Sequence, residues 1–136
     1  MATEILVNDG GAPARILPFV AGAVTTAGQC VKVATDGQVE LCSDKDLPIA
    51  GVALTAAAAV GDMINVVTGS GVILNMKCNA AVNRGDALMT DESAPGELII
   101  WAKADDSIAV AYALEDAGVA EGLAAGTRGL TKCLVF

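Results

Sequence analysis

The chain has 136 residues, which fits one domain or two very small ones sharing a core. A formal charge of −8 counts against nucleic acid and against an anionic membrane surface, and the lack of any histidine removes His-based triads, His proton shuttles and most catalytic zinc sites. Fifteen glycines, 3% aromatic residues and many short runs of Val, Ile and Ala predict an all-β protein, a small barrel or sandwich of short strands with little helix.

Met1-Ala2-Thr3-Glu4 has neither a basic start nor an apolar core, so no secretory leader is expected. Residues 1–21 differ in composition from the rest of the chain. Ile5, Leu6, Val7, Ile16, Leu17 and Phe19 are apolar, yet Gly10, Gly11, Pro13 and Pro18 divide them too finely for an independent hairpin. Pro18 cannot donate to a ladder and belongs at a sheet edge. Two readings stay open. The segment is a first edge strand, or an arm that orders by adding a strand to a partner's sheet. In the arm reading those six residues are the binding residues, and deleting Met1 to Val7 weakens attachment while leaving folding nearly unchanged.

Residues 22–136 read as a β domain in two similar halves, about 22–78 and 79–136. A three-residue loop Thr35-Asp36-Gly37, with Gly37 in the left-handed region, registers the first hairpin. Val33 then opposes Val39 and Val31 opposes Leu41 on one buried face, while Lys32 opposes Glu40 and Cys30 opposes Cys42 on the other. Ser43 to Pro48 is a polar link. Ile49 to Leu54 is a short apolar strand in which Gly51 and Ala53 keep one face small. Thr55 to Val60 is nearly all alanine, Gly61-Asp62 breaks the chain, and Met63 to Val67 is a second strand. As a membrane span, Ile49 to Val67 fails: its alanines are weakly apolar, and Gly61, Asp62 and Asn65 interrupt it. The chain is expected to be soluble and made in the cytoplasm.

Thr68-Gly69-Ser70-Gly71 is a tight turn into the strand Val72 to Met76. Ala87 to Thr90 pairs with Glu97 to Trp101 across a polar turn. Ile108 to Ala117 then echoes the stretch after Ile49, with Ala111-Tyr112-Ala113-Leu114 laid on Gly51-Val52-Ala53-Leu54. The Gly-polar steps Gly28-Gln29 and Gly85-Asp86 open the two copies. A weak repeat of this kind means two similar β modules or one barrel made of two halves. Ala117 to Arg128 is a long loop or one helical turn, and Leu130 to Phe136 is a closing strand.

The motifs carry little chemistry. Cys30, Cys42, Cys78 and Cys133 form no CxxC pair, so buried thiols are expected rather than a zinc or redox site. The acidic pairs Asp91-Glu92, Asp105-Asp106 and Glu115-Asp116 lack calcium-loop spacing. Gly69-Ser70-Gly71 joins two strands and is followed by no Gly-Lys-Ser/Thr, so it is no phosphate cradle. Arg84-Gly85-Asp86 falls where the repeat needs a turn. No catalytic, cofactor-binding or metal-ligating residue is assigned, and no cofactor is expected. An enzyme would need a carboxylate pair such as Asp105 and Glu115 converging in a pocket. A cellular β-barrel binding module, or a subunit of a larger complex, is the other alternative.

The segments Val24-Thr25-Thr26-Ala27-Gly28-Gln29, Gly51 to Ala58 and Gly61-Asp62 resemble the small cement proteins of tailed-phage capsids. The stretch from Ala87 to Ala117, ALMTDESAPGELIIWAKADDSIAVAYALEDA, is similar to the central part of the lambda-type head decoration protein. Shared features are a Leu-Met strand, a polar turn, an apolar strand ending in Trp101, an acidic loop and an Ile/Val/Ala strand. The resemblance implies a viral structural protein, not an enzyme. Such a protein is made in the host cytoplasm and binds the major capsid protein on the outer surface of the expanded head. It acts as a homotrimer, touches neither nucleic acid nor membrane, and stabilises the lattice against internal DNA pressure.

Overall fold

The hairpin around Asp36 forms in the register its side chains dictate: Val31 faces Leu41, Lys32 faces Glu40 and Val33 faces Val39. Gly37 turns it with a φ of 82°, and Ala34 N donates to Gln38 O at 2.7 Å. Val33 departs from the expected buried face and is 51% exposed. It is the last residue of its strand, and the strand on its other side pairs only with Cys30 and Val31, so no β5 residue pairs with it.

The computed structural model describes residues 5–8, 14–44, 49–102, 107–116 and 130–136, and these contain eleven strands and no helix. The strands are β1 (Leu6–Asn8), β2 (Arg15–Val20), β3 (Cys30–Val33), β4 (Val39–Leu41), β5 (Gly51–Ala53), β6 (Met63–Thr68), β7 (Ile73–Lys77), β8 (Ala87–Thr90), β9 (Leu98–Ile100), β10 (Ala111–Ala113) and β11 (Leu130–Val135). One sheet runs β2-β6-β5-β3-β4 and the other β1-β7-β11-β10-β8-β9. Every ladder is antiparallel. The fold is an all-β sandwich of two similar halves.

Without β1 the two strand orders are the same order repeated, with β2 to β6 matching β7 to β11. The match extends to single hydrogen bonds. Gly28 N donates to Ala53 O and Gly85 N to Ala113 O, both at 2.8 Å. Leu54 N donates to Asn65 O and Leu114 N to Lys132 O, again both at 2.8 Å. Each five-stranded unit closes on itself through one parallel bridge, Ala21 to Val39 in the first half and Cys78 to Leu98 in the second. The repeat therefore starts at β2 and restarts at β7, after the turn at Gly69 and Gly71. The Gly-polar steps that reveal it in the sequence lie one strand further on.

Two buried clusters hold the halves. The smaller belongs to the first half alone and contains Ala21, Val31, Val39, Ala53, Ala57, Ile64 and Val66. The larger joins Cys30, Cys42, Val52 and Val67 of the first half to Leu74, Met76, Leu88, Leu98 and Cys133 of the second. The apolar area shared in that cluster is the main force holding the halves together.

Candidate functional site

The six apolar residues near the N-terminus fall on two different edges. Ile5 is 4% exposed in the shared core, and Asn75 N donates to its carbonyl at 2.7 Å. Leu6 and Val7 lie in β1, the edge strand of the six-stranded sheet, with Leu6 opposite Leu74. Ile16, Leu17 and Phe19 lie in β2, the edge strand of the other sheet, paired in register with Val67, Val66 and Ile64. Ile16 is 49% exposed, Leu17 is half-buried, and Phe19 packs against the smaller core. The structure thus separates Ile5 from Ile16 and gives both segments partners within the chain. Pro18 sits on an edge, as its missing N–H requires.

The thiols are packing groups. All four cysteines are free and buried. Burial pushes Cys42 up to about 12, and it pushes Cys30 well above the ordinary thiol range. A hydrogen bond with Cys78, and burial after it, raise Cys133, while the same bond lowers Cys78 against the desolvation that opposes it. Cys30, Cys42 and Cys133, held protonated in this way, are poor nucleophiles and poor metal ligands. Among the described residues no group of three or more His, Cys, Asp or Glu is placed to hold a metal ion.

Several carboxylates hold backbone N–H groups rather than converging on a site. Asp86 accepts from Asn83 N at 2.8 Å and Asp116 accepts from Arg84 N at 2.8 Å, so Arg84-Gly85-Asp86 is a stapled turn. Glu115 accepts from Lys132 N at 2.9 Å; Asp105 lies outside the described residues. Asp91 and Glu97 flank the β8–β9 loop and are both buried. Desolvation opposes the Asp91 carboxylate, but bonds from Asn79 Nδ2 and Ser93 Oγ at 2.7 Å outweigh it and hold this carboxyl below its usual range. Desolvation raises Glu97 and nearby Asp91 adds to the rise, while Lys77 opposes it.

The surface also carries apolar side chains, among them Ile16, Met63, Ile100, Tyr112 and Phe136. Tyr112, 44% exposed, crosses to Leu134 on one side and Ala87 on the other. Leu134 faces Ile73 in turn, and the Phe136 ring meets Tyr112 edge-on at 4.4 Å. An open hollow of about 450 Å³ lies beside this row, lined by Arg84, Gly85, Tyr112, Ala113 and Leu114. The sequence carries a trace of it. In the repeat Tyr112 falls on Val52, where an aromatic ring replaces a residue that the core needs small.

No protein-family model and no curated protein matches the chain. A solved structure does: the N base of the head fiber protein gp8.5 of bacteriophage phi29. The TM-score is 0.66 at 17% sequence identity, over 91% of this chain and 95% of that one. The likeness is one of fold. It spans both halves and the inter-sheet core, so it concerns the whole architecture and not one shared module.

Proposed function

We propose that this chain is a structural protein of a tailed-phage head, a decoration protein on the outer surface of the expanded shell. The observation that carries the proposal is the fold likeness to a phage head-fiber base over nearly the full length of both chains. The sequence resemblance of Ala87 to Ala117 to the lambda-type decoration protein points the same way. So does the surface, where several carboxylates are tied to backbone N–H groups and apolar side chains such as Tyr112 and Phe136 are exposed.

In this reading the protein binds the major capsid protein as a homotrimer and needs no cofactor. Binding only to the expanded lattice stabilises that lattice by mass action, and three linked contacts make attachment strong where each is weak. The N-terminal strands are the capsid-facing elements. Both are sheet edges, and an edge accepts a further strand from a partner. Leu6, Val7, Ile16, Leu17 and Phe19 lie on those edges.

The test uses heads prepared without this protein, in expanded and unexpanded forms. Saturable binding to expanded heads alone, with a higher temperature or force needed to release DNA, is the expected result. Equal binding to both forms would remove the lattice-clamping role, and binding to neither would remove the head role altogether.

A further inference from the structure

The contact between the two halves is not symmetric, and the duplication shows which of its surfaces recur elsewhere unoccupied. On the first half the contact is made around Gly28 (φ 92°) and Cys30. Lys77 N donates to Gly28 O at 2.9 Å, and Leu130 Cδ2 occupies the place a Gly28 side chain would take. On the second half the contact is made by Gly96 (φ 84°), whose carbonyl accepts from Cys30 N at 2.9 Å and whose N–H donates to Cys42 O at 2.8 Å. The Gly96 backbone also lies against the side chains of Gln29 and Leu41.

Each of these groups has a counterpart in the other half, fixed by the matching ladders. Gly28 corresponds to Gly85 (φ 92°), Leu41 to Ile100, Gly96 to Gly37 (φ 82°), and Leu130 to Met63. All four counterparts are bare. Among the described residues nothing lies within 4 Å of a side-chain position at Gly85 or at Gly37, Met63 is 60% exposed, and Ile100 is 45% exposed. The first half therefore carries an unused copy of the inserting surface, and the second half an unused copy of the receiving one. Two turn glycines held in the left-handed region at these places leave room for a close backbone approach, as they do inside the chain.

We infer that copies of this chain associate head to tail, through a contact that repeats the one between its own halves: the Gly37 and Met63 end of one copy seats on the Gly85 and Ile100 end of the next. The hollow beside Tyr112 is the receiving site, and Met63 takes the part that Leu130 plays against Gly28. Such a contact is heterologous, so it generates a closed ring if the rotation between copies closes and a filament if it does not. The inference rests on the duplication and not on the phage-head reading.

Sedimentation velocity on the full chain tests it. The wild-type protein is expected at a multiple of its 13.6 kDa mass. Met63→Glu and Ile100→Glu each place a charge on one side of the contact and should each run as monomers with an unchanged thermal midpoint. Mixed in equal amounts at high concentration, the two variants should form a one-to-one dimer that grows no further, because one intact surface of each kind remains. Met63→Gln and Ile100→Thr replace them if either glutamate variant melts early. A monomeric wild-type protein overturns the inference, as do variants that keep the wild-type mass. So does a mixture that stays monomeric, since a symmetric contact would give that result. Head binding is measured separately and does not enter these outcomes.

Discussion

Gly28 and Gly85 share one backbone conformation and differ only in what surrounds them, so they separate backbone strain from packing. Alanine at Gly85 meets only the left-handed backbone, at about 1–2 kcal/mol. Alanine at Gly28 meets the same strain and also the Leu130 side chain, and overpacking of this kind adds about 1–3 kcal/mol. Thermal melts of the two variants in a Met63→Glu background, where association does not contribute, should place Gly28→Ala lower by about 4 °C for each kcal/mol of difference. Equal midpoints would mean that Leu130 does not press on Gly28. Two carboxyl groups beside one loop give a second residue-scale test, with opposite signs. The Asp91 carboxyl titrates lower folded than unfolded, so its contribution is fully present at neutral pH and is lost as pH falls through the folded value. Glu97 titrates higher folded than unfolded, so it lowers stability at neutral pH, and that loss is relieved as pH falls through its raised value. Asp91→Asn should lower stability at pH 7 by about 1–2 kcal/mol, the scale of a hydrogen bond to a charged group, and flatten the acid limb of the stability curve. Glu97→Gln should leave stability at pH 7 unchanged or higher. Urea unfolding at pH 7 and at pH 4 checks both, and a Glu97→Gln variant weaker than wild type at pH 7 contradicts the assignment.

The N-terminal strands bind within the chain, and this changes what truncation does. Deleting Met1 to Val7 removes a core isoleucine and most of the strand on the open edge of β7. Loss of a buried isoleucine alone costs about 2–5 kcal/mol, so the thermal midpoint should fall by roughly 10 °C instead of holding steady. A midpoint within about 2 °C of wild type would return the segment to the status of a free arm. Strand-addition binding at β2 survives this truncation, because Arg15–Val20 stays paired with β6. The contrast shows where sequence patterns stop being informative. The β3–β4 register was legible because Val31, Val39 and Leu41 alternate with Lys32 and Glu40 across a turn short enough to fix the pairing. The repeat was legible because β5 and β10 carry the same small-large-small pattern, Gly51-Val52-Ala53 and Ala111-Tyr112-Ala113. Nothing local opposes Leu6 to Leu74, since that pairing spans the first half and is chosen by the shared core. The bare surfaces escaped for a related reason. Met63 and Ile100 look like ordinary strand residues until the ladders show that their counterparts, Leu130 and Leu41, lie in the contact between the halves.

At the scale of the whole molecule, the two halves are alike in topology and unequal in core. The first half keeps a small cluster of its own, rich in Val and Ala, while the buried apolar residues of the second half, Met89 apart, lie in the cluster it shares with Cys30, Cys42, Val52 and Val67. A chain whose larger core crosses between its halves should unfold as one unit, because opening the contact exposes most of the apolar area that holds the second half together. The single tryptophan makes this measurable. Trp101 lies in the second half, where its Nε1 donates to Ser107 O at 3.0 Å, so its fluorescence reports that half alone. Far-ultraviolet circular dichroism reports the strands of both. Followed together in urea on the monomeric Met63→Glu variant, the two signals should trace one transition with one midpoint. Val52→Ala, which hollows the shared cluster from the first-half side, should move both midpoints by the same amount although Trp101 is in the other half. If the fluorescence transition came first and the dichroism kept a second step at higher urea, the first half would be folding on its own cluster. The molecule would then be two independent modules in one chain.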